Sequence, residues 1–173
     1  MTVKTPWYEC DSRFIAAHYQ PAALIDLAIS REIDTHRLLR GSGLFYDDIL
    51  AGQMRISPQQ FLVLIDNAQR LLEADDTSFL FGQRLLPGHY GAASQALQQA
   101  SNLQQALELL IEIRALFSPL LAPRLLLDEQ HAYLYWVDSS GAGPHWRFLV
   151  EACMTAVVAM ARWTVLSTLK KML

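Results

Sequence analysis

RLLLDEQHAYLYWV, residues 124–137, is the stretch on which the fold class turns. Two β-favouring runs, 124–127 and 131–137, flank Asp128, Glu129 and Gln130, the pattern of an antiparallel hairpin. Alternation puts Ala132, Leu134 and Trp136 on one face of the second strand and Tyr133, Tyr135 and Val137 on the other. Both faces are apolar. Such a hairpin is expected to be covered on both sides, or covered on one side with a ligand cavity on the other.

Downstream of the hairpin, a loop over 139–143 leads to Pro144, which suits a first helical turn, and a long helix over 145–169. Its segment 152–161 carries no charge and is bounded by Glu151 and Arg162. A membrane span needs about 20 apolar residues, so this run reads as a buried core or interface helix. Val157, Met160 and Trp163 are its candidates for dimer contact or core, two roles the sequence does not separate.

Upstream, everything reads as helix. Leu24, Ile25, Leu27, Ala28 and Ile29 give 21–32 a broad apolar face, and Asp34 and Thr35 start a short helix that Gly41 and Gly43 end. Ser57, Pro58 and Gln60 form a capping-box pattern ahead of Phe61, Leu64, Ile65, Ala68 and Leu72 at helical spacing. Further helices are predicted over 78–84 and 92–100. Another follows the caps Ser101 and Asn102, with Leu103, Ala106, Leu107, Leu110 and Phe117 on one face. The fold class is therefore α+β: mostly helical, with a small antiparallel sheet near 124–138 and a long apolar C-terminal helix.

At 173 residues the chain fits one domain, and 52% hydrophobic with 18% charged residues excludes a wholly disordered one. The net charge is −3 and the basic residues are scattered, which makes a poor nucleic-acid surface. Cys10 and Cys153 are far apart and read as reduced thiols, and residues 1–12 lack the apolar run of a secretory signal. The expected location is cytoplasmic.

Tests for chemistry give little. His18, His36, His89, His131 and His145 include no pair at metal-ligand spacing, so no metal is expected. There is no Gly-x-Ser-x-Gly elbow, and Cys153 sits in an apolar helix that disfavours a thiolate. Gly41-Ser42-Gly43 lacks the lysine and further glycine of a phosphate loop, and Glu108 and Glu112 fit a solvated helix face. Neither an enzyme nor a cofactor is indicated. What remains is an aromatic cluster, Tyr133, Tyr135, Trp136, His145, Trp146 and Arg147, which reads either as sheet-to-helix packing or as the wall of a small-molecule pocket. Arg114 and Arg147 have the guanidinium fork that can pair bidentately with a ligand carboxylate, or with one inside the protein.

The segment LPGHYGAASQALQQASNLQQALELL, residues 86–110, carries a more specific signal. Pro87, Gly88, Gly91, Ala96, Leu97, Ser101, Leu103, Ala106 and Leu107 resemble the P-G-x-x-G-x-x-(G/A)-x-A-L-x-x-(S/A)-x-x-L-x-x-A-L stretch of AraC-type regulators with an arabinose-binding-like amino-terminal domain. The glycines let the backbone turn sharply and approach its neighbours, while Ala92, Ala93 and Ala96 give a narrow helix face. The Arg40-Gly41-Ser42-Gly43-Leu44 break and Arg55-Ile56-Ser57 stand upstream in the same order, so the likeness runs over roughly 20–170.

The resemblance implies a regulatory, ligand-sensing and dimerising domain over 1–173, cut before the family's last strands and its helix-turn-helix region. The implied partners are a small organic effector (an amino acid, another organic acid or a lipid-like molecule), a second copy of the chain, and DNA only through the absent part. No membrane is implied. The ligand-contact candidates are Tyr133, Tyr135, Trp136, His145 and Arg147, then His89, Tyr90 and Arg114. The rival expectation is a purely structural dimerisation module with no ligand.

Overall fold

The computed structural model describes residues 9–172 apart from Pro87 and His89, with side chains through Thr164. Nine helices and four short strands are found among them. The order is β1 (Ile15–Ala16), α1 (Gln20–Ile29), α2 (Thr35–Leu39), α3 (Tyr46–Leu50), β2 (Arg55–Ile56), α4 (Pro58–Leu72), α5 (Thr77–Leu85), α6 (Ala92–Gln99), α7 (Leu103–Glu112), α8 (Arg114–Phe117), β3 (Leu121–Leu127), β4 (Ala132–Asp138) and α9 (Trp146–Met172). A 3₁₀ turn, Gly143–His145, introduces α9. The class is α+β, with two separate two-stranded antiparallel sheets, β1–β2 and β3–β4.

Local chemistry sets the helix starts. Ser57 Oγ accepts from the Gln60 N–H at 3.2 Å, while the Ser57 N–H donates to Gln60 Oε1 at 3.1 Å, closing the capping box of α4. Asp34 caps α2, and Asn102 caps α7 by accepting from Gln105 N at 2.8 Å. Gly88 and Gly91, which flank the break before α6, have φ of +58° and +59°, a region open mainly to glycine. Phe61, Leu64, Ile65 and Ala68 of α4 then bury fully beside Leu24, Ile25 and Leu27 of α1.

Longer-range contacts join these helices into a body. Asn67 Nδ2 donates to the carbonyls of Leu38 and Arg40, both at 2.8 Å, which ties α4 to the C-terminal end of α2. Helices α5 and α9 lie along one another. A Cβ added at Gly82 would stand 2.4 Å from the Ala152 carbonyl oxygen and 2.8 Å from Thr155 Cβ, so this approach requires the bare backbone. Phe81 and Phe148 stack across the same seam with ring centroids 5.9 Å apart.

Two sequence expectations are corrected here. The hairpin has the predicted alternation, with Leu125 opposite Leu134 and Leu126 opposite Tyr133, but only one face is covered. Leu121 and Pro123 are buried, Leu125, Leu134 and Trp136 are half-buried, and the packing thins toward the tip. On the other face Leu126, Tyr133, Tyr135 and Val137 are exposed, because no described element reaches over that side. The long helix is also present without being apolar throughout. Arg147, Glu151 and Arg162 lie on it, Ala152, Cys153, Ala156 and Met160 are buried, and Met154 and Val158 face outward. Met160 is therefore core, Val157 half-buried and Trp163 exposed.

The β1–β2 pair was not expected. Two residues per strand are too few to show a period in the sequence, and the pairing, Ile15 with Ile56 and Ala16 with Arg55, joins segments distant in the chain.

Candidate effector groove

The small β1–β2 sheet helps shape one concave surface. Residues 9–17 are pinned across the start of α4 by Gln59 N–H to Cys10 O at 3.1 Å and Ala17 N–H to Met54 O at 3.0 Å. Helix α8 packs against β1 from the other side. Between them lie two adjoining cavities. One, of about 570 Å³, is walled by Phe14, Pro58, Ala115, Pro119 and Leu121, with Arg114, Ser118, Ser139, Ser140 and Glu9 supplying its polar groups. The other, of about 360 Å³, is walled by Phe14, Ile15, Leu116 and Pro119, with Arg55, His18 and Gln20. Phe14, Ala115 and Pro119 line both, which makes one groove. The larger volume lies within the range of pockets that enclose small organic molecules, about 300–1,000 Å³.

The floor of this groove is polar and tied into the core. Gln20 donates from Nε2 to the Phe117 carbonyl, and Ser118 Oγ lies 3.6 Å from Cys153 Sγ on α9. Burial pushes the Cys153 thiol up to about 12, a shift that the hydrogen bond from Ser118 opposes, so the thiol is neutral and unreactive at physiological pH. Tyr90 is buried beside Gln20 and Tyr19, with its ring 5.1 Å from Tyr19, and its hydroxyl is held well above the ordinary tyrosine range, first by burial. Nothing here resembles an activated nucleophile. Among the described residues no three His, Cys, Asp or Glu side chains gather as metal ligands, and no helix is long and apolar enough to cross a membrane.

A second recess, about 620 Å³, lies where α4 ends and α5 and α9 begin. It is polar, with Gln69, Glu73, Asp75, Ser78, Arg147 and Glu151 on its walls. Arg147 Nε donates to Glu151 Oε1 at 2.7 Å and Ser78 Oγ donates to Glu151 Oε2 at 2.6 Å. The hydroxyl of Ser78, then Arg147, holds the Glu151 carboxyl below the usual glutamate range. Its cation is already committed to the protein.

The model of the arabinose-binding domain of AraC transcription regulators, N-terminal, matches residues 33–170. The chain belongs to this family. No curated protein and no solved structure matches it. The arabinose-binding family is one of regulatory ligand-binding domains rather than enzymes.

Within this AraC-type domain the seven described residues of the eight singled out from sequence do not converge. Tyr133 and Tyr135 stand half-exposed on the open face of the hairpin, while Trp136 points the other way, its buried Nε1 meeting no acceptor among the described residues. His145 reaches Gln69 Oε1 through Nδ1 at 3.1 Å, beside the recess that Arg147 lines. Tyr90 is in the core, and His89 lies outside the described residues. Arg114 alone of the seven described lines the groove. Phe14, His18, Gln20 and Arg55 also line it and were not anticipated as site residues. Their segments lack a periodic signal, and no spacing in the sequence announces that residue 14 meets residue 55.

Proposed function

We propose that this chain is the effector-sensing domain of an AraC-type transcription regulator, that it binds a small organic molecule in the groove between β1 and α8, and that it self-associates as a homodimer. Membership of the arabinose-binding family, matched over 33–170, carries the reading. The volume of the groove and its mix of apolar walls with a few polar groups support the binding half. Leu126, Tyr133, Tyr135 and Val137 on the hairpin, with Met154, Val158 and Trp163 on α9, support the self-association half, since large exposed apolar groups that form a patch mark interaction surfaces. In this reading DNA is contacted by a helix-turn-helix region outside these 173 residues, and the net charge of −3 fits a domain that leaves phosphates to another.

Thermal-shift screening against amino acids, other organic acids, sugars and fatty acids tests the binding half. A ligand at one hundred times its dissociation constant stabilises the fold by about 2.7 kcal/mol. Sedimentation equilibrium over a range of concentrations tests the other half. A dimer that responds to no compound class would replace this reading with a structural pairing module, the alternative that the open hairpin face favours.

A further inference from the structure

We infer that the groove between β1 and α8 takes an organic carboxylate with an apolar body, its anionic end met by Arg114, while Arg55 adds a second cation in the adjoining cavity. The inference rests on the effector-sensing reading and adds the chemical class of the ligand and the groups that choose it.

Charge comes first. Each of the two adjoining cavities contributes one guanidinium, Arg114 in the larger and Arg55 in the smaller, and Glu9 is the one carboxylate among their described walls. Both guanidiniums are steadied by backbone oxygens. Arg114 Nη1 donates to Ile111 O at 3.1 Å, and Arg55 Nη1 to Phe14 O at 2.9 Å. A carbonyl occupies one N–H of a group that has five and neutralises none of its charge. The ion pairs found among the described residues involve Arg31, Arg70, His131 and Arg147, and neither groove arginine. Arg147 shows the contrast: Glu151 already occupies it at 2.7 Å. Both arginines are exposed, each held by a backbone carbonyl, and among the described residues neither has a carboxylate partner, an arrangement open to a planar carboxylate taken bidentately.

The walls then decide what the carboxylate is attached to. Phe14, Pro58, Leu116, Pro119 and Leu121 present carbon rather than donors. An inorganic anion would satisfy an arginine and leave that surface wet, whereas an aliphatic or aromatic body would remove it from water at about 25 cal/mol per Å². Ser118, Ser139 and Ser140 provide neutral hydroxyls near Arg114, compatible with a carboxylate oxygen and with no second charge.

The test uses the full chain, with calorimetry and thermal shift against benzoate, hexanoate and octanoate, their matched primary amides, and inorganic phosphate. The expected result is saturable stabilisation by at least one carboxylate, with its amide bound at least tenfold more weakly and phosphate showing no saturable effect. Arg114→Gln is expected to weaken the carboxylate at least tenfold, and Arg55→Gln to weaken it by a smaller factor. Arg147→Gln should leave its affinity unchanged. Ala115→Trp, which fills the wall shared by both cavities, keeps the test open if an arginine variant fails to fold and should abolish binding. Equal affinity for acid and amide, saturable binding of phosphate alone, or carboxylate binding indifferent to both arginine variants would overturn the assignment. Sugars or amino acids that stabilise the Arg114→Gln chain as well as the parent would remove this site while leaving effector sensing intact. Silence from every compound class would remove both.

Discussion

At the α5–α9 seam, Gly82 lies so close to the Ala152 carbonyl that a methyl group has no room, and Phe81 and Phe148 stack across the gap. On the outer face of the β3–β4 hairpin, residues just as apolar, Leu126, Tyr133, Tyr135 and Val137, meet no element of the described fold. Composition does not separate the two regions; partnership does. The seam brings backbone and rings into direct contact, and in such a packed interior one added methylene is felt. The hairpin spends its inner face on the body and leaves its outer face for something else to cover. The difference separates the apolar residues that hold this chain together from those that the described fold leaves exposed.

Gly82→Val is the largest expected effect. Any side chain puts its Cβ 2.4 Å from the Ala152 carbonyl oxygen and 2.8 Å from Thr155 Cβ, which outweighs the gain of about 1 kcal/mol in helix propensity from losing a glycine, and valine adds two further methyl groups. Denaturant unfolding should show a loss of about 3 kcal/mol, and a neutral result would mean that the seam is looser than it looks. Asn67→Ala follows, since it strips a buried donor from the carbonyls of Leu38 and Arg40. A loss of about 2 kcal/mol is expected, with no change in self-association measured by sedimentation.

Ser78→Ala sharpens the seam by pH. The Glu151 carboxyl is held below its ordinary range by the Ser78 hydroxyl first. A carboxyl depressed in the folded state contributes stability above its unfolded pKa and loses it as pH falls through the folded value. The variant should therefore cost about 1.5 kcal/mol at neutral pH and progressively less below the usual glutamate range, read from melting curves at successive pH values. A pH-independent loss would show that Ser78 acts by packing alone.

On the open face, Tyr135→Ser should shift monomer stability by no more than about 0.5 kcal/mol and weaken self-association. A large loss of monomer stability would show that this face is sealed within one chain. The smallest effect is chemical: a thiol reagent should modify exposed Cys10 promptly in the native protein and buried Cys153 only on unfolding.

The elements decided within a few residues were legible beforehand. Ser57 and Gln60 sit three positions apart and formed the capping box their spacing predicts, and the Asn102 side chain capped α7. The turn at Asp128, whose Oδ1 accepts from the Gln130 and His131 N–H groups, lies within one short stretch, and so does the alternation on β4. The hairpin was expected to be covered on both faces, or on one with a ligand cavity on the other, and the described fold covers one and leaves the other open, because alternation says which side chains share a face and nothing about what approaches that face. The groove was hidden in the same way. Arg114 was noticed for its chemistry alone, while Phe14 and Arg55 became neighbours only once segments 41 positions apart had paired.

The sequence by itself determined the class, α+β with a helical majority, most of the helix starts, the hairpin and the likeness to AraC-type effector domains. Capping, turn geometry and periodicity act over a few residues, so one chain read in order contains them. The tertiary structure alone decided that Met160 is core while Met154 faces outward, that Ser78 on α5 donates to Glu151 on α9, and that the groove opens between β1 and α8. Each of those outcomes depends on which distant segments pack together, and packing is settled by shape and burial summed over the whole molecule.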